Sequence, residues 1–348
     1  MNVTEIARLY NTSDCTIHGE IDSSHGESDK RYTYLLSFSD GEKIALKICR
    51  NLFTTAERVD GWQKLCKHYV DLGIYCPQII NSLNNNSSET ILVNSEEFII
   101  YAEEMKKYKT MEEIDPKPNY NSIRPDIIKA MGKIASDTAC LLSWPSAYCL
   151  FDTFDIGEKT DENYENAESF CNNIREKFPE YTPYADKIWE LYLQKRNEFE
   201  PIYRSLPKAS FQSDLNKSNI LVNENMEFAG LIDFNLSGTE CIIYMIMLPD
   251  ICGYTLKTDD LARLNEKTFL DNCDEFLYNN LKTFSDYYNF TDDERKYFCL
   301  CYNTAIPFCY WMINSMLDFA IKENKSEHIE EILDWVYYQL SRNDLTLR

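Results

Sequence analysis

The stretch "FQSDLNKSNILV", residues 211–222, places a polar loop between two pieces of hydrophobic core. Phe211 belongs to one apolar segment and Ile220 begins the next, yet an acid, three amides and a lysine lie between them. Asp214 and Asn219 could form a turn between two buried strands, but a turn does not need "FQ" before it, "ILV" after it and a second acid at the end of the next strand. The pattern therefore indicates a loop that presents Asp214 and Asn219 to a functional site.

The segment after this loop, "ILVNENMEFAGLIDF" (220–234), has two apolar pieces on either side of "NENM". Such a pattern predicts a β-hairpin with its turn at the polar residues. The hairpin ends in a second acid, Asp233, so the sequence brings two carboxylates to the ends of short buried strands.

The first hundred residues are rich in predicted strands. Segments 15–21, 31–38 and 42–50 have strand character, and the last two are joined by the turn signal "SDG". Residues 54–73 predict a helix that begins at threonine N-caps and stops at Gly73. The strands "ETILVN" and "EEFIIYAEE" follow, and Lys47, in "IALK", lies near the end of the third strand.

The rest of the chain is mainly helical, with helices predicted near 124–143, 163–178, 183–204, 258–287, 292–320 and 326–341. Strands followed by helices predict an α+β fold. A chain of 348 residues exceeds the usual size of one core. We expect an amino-terminal domain at 1–105 with an antiparallel sheet and one helix, and a helical domain at 106–348.

Composition narrows the function classes. A net charge of −22 disfavours nucleic acid and anionic membranes as partners and suits a cationic small molecule. The 13 cysteines form no C-x-x-C pair and read as free thiols of a reducing compartment. The chain has no signal-peptide pattern and no apolar run of membrane-spanning length. We expect a cytoplasmic protein.

Lys47, Asp214, Asn219 and Asp233 occur in the order and strand context of phosphoryl-transfer enzymes with the protein-kinase fold. The sequence resembles the aminoglycoside phosphotransferase and choline kinase-like family, the small-molecule branch of that fold, over essentially the whole chain. The family loop reads H-G-D-x-x-x-x-N followed by three apolar residues, and its metal strand reads I-D-[FW]. This chain has "QSDLNKSNILV" and "LIDF", so a glutamine and a serine replace the histidine and glycine.

The resemblance implies a role for each matching residue. Asp214 is the catalytic carboxylate that accepts the proton of the substrate hydroxyl. Asn219 and Asp233 are the protein ligands of Mg²⁺, and Lys47 neutralises the α- and β-phosphates of ATP. An acid on the following helix orients the lysine. Glu57 is the first choice and Asp60 its rival, although Glu57 also suits an ordinary first-turn position.

The resemblance also suggests where the nucleotide binds. Backbone groups around Ala102, Glu103 and Met105 at the end of the last amino-terminal strand are expected to contact the adenine edge. The loop "SSHGES" (23–28) lies where related enzymes fold backbone amides over the phosphates, and Ser24 and Gly26 are its main candidates, with Ser23 and His25 beside them.

These features together predict an ATP- and Mg²⁺-dependent kinase that phosphorylates an alcohol hydroxyl of a small, cationic acceptor such as an aminoglycoside or a choline-like amine. The alternative is a weak or inactive pseudokinase that binds nucleotide or a partner, because the histidine and glycine are replaced. A protein kinase is disfavoured, since no long activation segment follows "DFN".

The acceptor site is expected in the helical region, where acids and aromatic side chains are abundant. A solvated acidic face with buried aromatic stripes accounts for the same pattern. The candidates for the pocket wall are Tyr164, Tyr181, Tyr184, Trp189, Trp311 and Asp318.

Overall fold

The structure is a computed structural model that describes residues 2–155, 157–310 and 312–347. Trp311 lies outside these residues. The contacts divide the chain into two compact units. Unit 1 consists of Met1–Ile123, Asp155–Gly157 and Asp214–Ser237, and unit 2 consists of Arg124–Phe154, Glu158–Ser213 and Gly238–Arg348.

The secondary structure elements are numbered in chain order. The strands are β1 (Cys15–Asp22), β2 (Lys30–Phe38), β3 (Lys43–Arg50), β4 (Ile79–Ile80), β5 (Glu89–Val93), β6 (Glu96–Glu104), β7 (Lys109–Thr110), β8 (Lys208–Phe211), β9 (Ile220–Val222), β10 (Phe228–Leu231) and β11 (Gly238–Cys241). The α-helices are α1 (Val3–Ala7), α2 (Ala56–Asp71), α3 (Met111–Ile114), α4 (Arg124–Ser136), α5 (Glu162–Lys177), α6 (Thr182–Ser205), α7 (Ile242–Met247), α8 (Lys267–Ser285), α9 (Asp292–Ala305), α10 (Ile313–Lys322) and α11 (Ile329–Ser341).

The main sheet of unit 1 is antiparallel and runs in the order β1-β2-β3-β6, with β4 and β5 both pairing with the far edge of β6. The register sets Thr33 opposite Lys47 and Lys47 opposite Tyr101. Because side chains alternate along a strand, these residues and those two positions away share one face of the sheet. The predicted hairpin between β2 and β3 is confirmed, with Gly41 at φ 98° in its turn.

The two faces of the main sheet have different covers. One face is apolar and buries Leu36, Leu46 and Ile100 against α1. The other face packs against α2, where the indole of Trp62 lies 5.9 Å from the Tyr101 ring. Helix α2 matches its prediction: the Thr55 side chain caps it by accepting from the Arg58 amide, and Gly73 follows its end at φ 79°. The helix therefore covers the face that carries Lys47.

A smaller sheet in unit 1 runs in the order β10-β9-β7, and it contains the predicted 220–234 hairpin. Strand β10 is tied to the rest of the unit by Tyr75, whose carbonyl accepts from the Leu231 amide at 2.9 Å. A Cβ on Gly230 would lie 2.0 Å from that carbonyl oxygen, so only glycine permits this approach. The close contact positions the chain that leads into Asp233.

Unit 2 contains α4–α11 and the short β8–β11 sheet. The predicted helices near 124–143, 163–178 and 183–204 correspond to α4, α5 and α6. The predicted segments 258–287 and 292–320 are each divided: the former begins with a separate 3-10 turn, and the latter breaks between α9 and α10, where Pro307 cannot donate a backbone hydrogen bond. The apolar segment 241–249 contains α7, which the sequence analysis did not assign.

The compact units divide the chain differently from the predicted boundary between 105 and 106. Residues 214–237 belong to unit 1 because β9 pairs with β7 and because Leu231 bonds to Tyr75. The division of roles between 1–105 and 106–348 stays a prediction.

The 13 cysteines all lie in described residues as free thiols, as expected. Within the described residues, no helix has both the length and the apolar character needed to cross a membrane.

Candidate active site

Lys47 is the centre of a charged cluster in unit 1. Its Nζ lies 3.0 Å from Oε1 of Glu103, on β6, and 3.2 Å from Oδ1 of Asp233. Burial alone would lower the pKa of Lys47, but the attraction of Asp233 and Glu103 outweighs it and raises the pKa well above the usual value. The lysine is therefore a permanent, mostly buried cation between two carboxylates.

Glu103 forms an ion pair with Lys47, whereas the sequence predicts it as a contact of the adenine edge. Burial raises the pKa of its carboxyl group, Asp233 adds to the rise, and Lys47 opposes it. The register explains the contact, since Ala45 lies opposite Glu103 and Lys47 is two residues further along the same face of β3. The strand assignments could have suggested this pair, but only the register specifies it.

Glu57 and Asp60 were predicted as partners of Lys47. Glu57 is exposed in the first turn of α2, and Asp60 pairs with Lys64 at 2.7 Å. The acids in ion-pair contact with Lys47 are Glu103 and Asp233. A pairing between Glu57 and Lys47 stays a prediction.

Asp233 follows β10 with φ 60°, in the left-handed region that non-glycine residues seldom occupy. The next residue, Phe234, packs edge-on against Tyr69 of α2 with ring centroids 5.3 Å apart. The Tyr69 contact and the Gly230 approach hold this strained segment in place. Backbone strain of this kind commonly occurs at functional sites, where the surrounding packing maintains it.

Asp214 and Asn219 are joined directly within their loop. The Asn219 side-chain nitrogen donates to Oδ2 of Asp214 at 2.8 Å and to its carbonyl oxygen at 3.1 Å, and Asn216 donates to Oδ1 at 2.8 Å. The Asn219 carbonyl also accepts from the Ile232 amide at 3.0 Å, which links this loop to the segment leading into Asp233. The two predicted motifs therefore meet in one unit.

The pKa of Asp214 is raised, chiefly by burial and also by the nearby charge of Asp233, while the hydrogen bonds from Asn216 and Asn219 oppose the rise. A carboxylate with a raised pKa is a better proton acceptor than a solvated one. The surroundings of Asp214 thus suit a general base.

The oxygen donors in this cluster fit a hard divalent cation. The amide nitrogen of Asn219 is engaged by Asp214, which leaves its oxygen as the atom for a metal, and Asp233 adds a carboxylate. Among the described residues, no group of three or more His, Cys, Asp or Glu side chains is placed to hold a metal. Mg²⁺ needs no such cage, because it keeps waters and binds one or two carboxylates together with substrate phosphates.

The predicted phosphate loop at 23–28 is held by hydrogen bonds to its flanking residues. The Ser24 amide donates to Asp22 at 3.0 Å and the His25 amide donates to the Asp29 carbonyl at 2.8 Å, so two candidate amides already have acceptors. Gly26 has φ 75° and open space around its α-carbon. Phosphate contacts by Ser24 and Gly26 stay a prediction.

The predicted adenine contacts lie at the end of β6. Ala102 and Glu103 are inside the sheet, opposite residues of β3 and of β4, so neighbouring strands flank their backbone. Met105 is the first residue beyond the strand. Of the three, Met105 is the residue whose backbone lies outside the hydrogen-bonded strands of the sheet. The assignment of these residues to the adenine edge stays a prediction.

Gln212 and Ser213, which replace the histidine and glycine of the family pattern, are both buried in unit 2. Ser213 has φ 73°, a conformation that favours glycine. The backbone at this position is thus the one that a glycine would adopt. Its hydroxyl donates to the Phe211 carbonyl at 3.2 Å.

Unit 2 contains a cavity of about 110 Å³ with an acidic and aromatic lining. The side chain of Glu162, at the start of α5, makes no hydrogen bond or ion pair with any described residue. Burial and the neighbouring acids raise its pKa to about 7. Asp250, Ser213 and four aromatic residues also line the cavity, the aromatic ones being Tyr148, Tyr244, Phe308 and Tyr310.

The aromatic residues named in the sequence analysis lie elsewhere in unit 2. Tyr164 packs edge-on against Trp189, and Tyr184 packs against Tyr337 of α11. Asp318 is exposed on α10. Tyr164 and Trp189 are half-buried and pack against each other rather than lining the cavity. None of these residues lines the cavity, and a role for them in acceptor binding stays a prediction.

Comparisons with known proteins give structural matches only. No family model and no curated protein matches the sequence. An amicoumacin kinase, hAmiN, solved with AMP-PNP, Ca²⁺ and Ami, is 13% identical with a TM-score of 0.50, covering 97% of this chain and 92% of its own. A microcompartment-associated aminopropanol kinase is 10% identical, with a TM-score of 0.48 and coverage of 97% and 94%. An aminoglycoside phosphotransferase from Alicyclobacillus acidocaldarius is 12% identical, with a TM-score of 0.47 and coverage of 96% and 95%.

The match to the amicoumacin kinase shows that this chain has the α+β kinase-like fold of the small-molecule phosphotransferases. The predicted fold class is confirmed. The predicted resemblance to aminoglycoside phosphotransferase and choline kinase-like proteins holds at the level of the fold.

Proposed function

We propose that this protein is an ATP- and Mg²⁺-dependent kinase that phosphorylates a hydroxyl of a small, cationic acceptor. The observation that carries the proposal is the meeting of Lys47, Asp214, Asn219 and Asp233 in one compact unit, although they come from segments far apart in sequence. A structural ion-pair network alone needs no loop that holds a half-buried carboxylate by two amides. Phosphoryl transfer needs a cation, a proton acceptor and metal ligands together.

Each residue of the cluster has a chemical task in this proposal. Asp214 takes the proton of the acceptor hydroxyl while that oxygen bonds to the γ-phosphorus and the bond to the bridging oxygen breaks. Asn219 orients Asp214 through its amide nitrogen. Lys47 neutralises phosphate charge, and Glu103 orients Lys47. Asn219 and Asp233 would hold Mg²⁺, which when bound supplies positive charge that neutralises the transferred group.

The lining of the unit 2 cavity supports a cationic acceptor. Glu162 is a half-buried acid whose electrostatic neighbours are Asp161, Glu158 and Glu165, all of its own sign. A ligand ammonium group would supply the missing positive charge, and the aromatic lining would favour it further. Ser213, which also lines the cavity, is the residue before Asp214 in the chain.

The volume of the cavity favours a small acceptor. A cavity of about 110 Å³ is smaller than an engineered cavity of about 150 Å³ that holds one benzene molecule. We infer that the acceptor is an amino alcohol of choline or ethanolamine size rather than a multi-ring aminoglycoside.

The proposal keeps the division of roles predicted from the sequence: residues 1–105 bind the nucleotide through Lys47 and the β6 end, and residues 106–348 supply the remaining groups. The free thiols support a reducing compartment, and we infer a cytoplasmic location. A noncatalytic nucleotide-binding protein is the second candidate, favoured by the replacement of the family histidine by Gln212.

The test is phosphoryl transfer from ATP with Mg²⁺ to a panel of choline, ethanolamine, small amino alcohols and aminoglycosides. We expect turnover with a small amino alcohol and a loss of about 10²- to 10⁴-fold in Asp214→Asn, the range for a general base. Asp71→Asn, an exposed acid of α2, is the matched control and should retain activity. Magnesium-dependent ATP binding without turnover on any acceptor would favour the noncatalytic candidate instead.

A further inference from the structure

Arg31 is a second cation on the face of the main sheet that carries Lys47. It lies on β2 opposite Cys49, and Thr33, two residues later, lies opposite Lys47. Because opposite residues and those two positions away share a face, the Arg31 and Lys47 side chains project to the same side. The cluster described above does not use Arg31.

The guanidinium of Arg31 has an ion pair at one end and lies over the Phe53 ring, 5.7 Å from its centroid. Its Nη2 lies 3.0 Å from Oδ2 of Asp29, and Asn51 holds the other Asp29 oxygen by donating to it at 3.1 Å. The Nε of Arg31 is buried and has no hydrogen-bond partner among the described residues. Buried donors are rarely left unpaired in folded proteins, so an unpaired guanidinium N–H indicates a missing acceptor.

Arg31 is electrostatically close to the catalytic carboxylate. Its charge is among the influences that lower the pKa of Asp214, opposing the larger effect of burial. It also belongs, with Lys47, Asp233 and Glu103, to the charges that act on the Cys49 thiol. The charge of Arg31 therefore acts on the carboxylate that the proposed function makes the base.

The backbone of Arg31 is hydrogen-bonded to the predicted phosphate loop at its amino-terminal end. Its amide donates to the Ser24 hydroxyl at 3.0 Å, and its carbonyl accepts from the Ser23 amide at 3.0 Å. These bonds and the Asp29 ion pair restrict the side chain before any ligand binds. A preorganised guanidinium loses little freedom on forming a charge-assisted bond to phosphate.

We propose that Arg31 binds the terminal phosphate of the nucleotide, as a second cation in addition to Lys47. The inference rests on the proposed function, since it requires a bound nucleoside triphosphate. Lys47 lies between Glu103 and Asp233, whereas Arg31 lies on β2, on the opposite side of β3 from Glu103. Arg31 therefore discriminates a triphosphate from a diphosphate, and it contributes to holding the transferred group in line with the acceptor.

The experiment measures the affinities of the full-length protein for AMP-PNP and for ADP, each with Mg²⁺, by titration calorimetry. These ligands differ by the terminal phosphate group, so the ratio of the two affinities isolates the contact in question. We expect Arg31→Gln to reduce the preference for AMP-PNP by about 10- to 100-fold, the value of a hydrogen bond to a charged group. Arg31→Lys should restore part of the preference, because lysine keeps the positive charge but lacks the planar set of N–H donors of the guanidinium.

Arg50→Gln is the control. Arg50 is at the end of β3 on the opposite face, and it donates to the Glu27 carbonyl of the same loop at 3.0 Å. Its removal loosens the loop without removing a cation from the site face, so the affinity ratio should not change. Thermal unfolding without ligand verifies that each variant is folded.

The outcomes separate this inference from the proposed function. If the wild-type protein binds neither nucleotide, both are overturned. If it prefers AMP-PNP and Arg31→Gln keeps that preference, or loses it only as much as Arg50→Gln does, the role of Arg31 is overturned and the proposed function stands.

Discussion

The Nζ of Lys47 lies 3.2 Å from Oδ1 of Asp233, and the two residues are 186 positions apart in the chain. The pair joins the main sheet of unit 1 to the segment after β10. A lysine that neutralises phosphates and a carboxylate that holds a cation must lie close together, because the phosphates and the metal share their oxygens. This contact thus joins the proposed phosphate-binding lysine to the proposed metal-binding carboxylate.

Replacing Asp233 by alanine should abolish the magnesium-dependent part of ATP binding, because the carboxylate is the charged ligand of the proposed metal site. The measurement is the thermal shift caused by ATP with and without Mg²⁺. Glu224→Ala, an exposed acid in the turn of the β9–β10 hairpin, is the matched control. A magnesium-dependent shift that survives in Asp233→Ala would rule out this metal assignment.

Glu103→Gln should destabilise the protein and weaken ATP binding. The Glu103 and Lys47 side chains are only 15% and 14% exposed, and removing one partner of a buried pair costs about 3–5 kcal/mol. Because Asp233 still pairs with Lys47, we expect a smaller loss, roughly 1–3 kcal/mol in the free energy of unfolding. Urea unfolding measures it.

The control for Glu103→Gln is Glu104→Gln, an exposed neighbour on the same strand, which should change stability little. Glu57→Gln tests the predicted helix partner in parallel. Weaker ATP binding in Glu57→Gln, together with normal binding in Glu103→Gln, would assign the orienting role to the helix.

Ser213→Gly should be more stable than Ser213→Ala by about 1 kcal/mol. Both variants lack the hydroxyl that bonds to Phe211, so they differ only in the Cβ atom at φ 73°. A Cβ in left-handed backbone costs about 1–2 kcal/mol, partly offset by the greater freedom of glycine in the unfolded chain. Thermal or urea unfolding gives the difference. The same pair of substitutions at Ser39, an exposed turn residue without positive φ, should favour alanine.

Binding of a quaternary amine such as choline should strengthen as the pH rises from about 6 to 8. Only the ionised form of Glu162 attracts the cation, and the pKa of this group is raised to about 7. Below that pKa the affinity should fall by up to tenfold per pH unit. A quaternary amine carries a constant charge, so the slope belongs to the protein. Calorimetric titration at several pH values measures it.

Glu162→Gln should remove this pH dependence and bind choline weakly at every pH. Glu165→Gln, an exposed acid one turn away on α5, should keep the slope but shift it to lower pH, because Glu165 contributes to the raised pKa of Glu162. An unchanged slope in Glu162→Gln would mean that another group titrates, and Asp250 would be the next lining acid to replace.

The sequence correctly indicated local features. The polar loop at 211–222, the hairpin that follows it and the helix that ends at Gly73 are each encoded by neighbouring residues, through apolar periodicity, caps and turn residues. The long segment 292–320 was less well predicted, since periodicity continues through the Pro307 region where the helix breaks.

What the sequence by itself determined is the fold class and the set of polar residues in motif order: Lys47, Asp214, Asn219 and Asp233. Only the tertiary structure decided that Glu103 pairs with Lys47, that Arg31 shares their face, and that Glu162 lines a cavity. The physical reason is that strand register and burial join residues far apart in the chain. Strand register determines which side chains are in contact, and burial changes their pKa values. Neither can be derived from a short stretch of sequence.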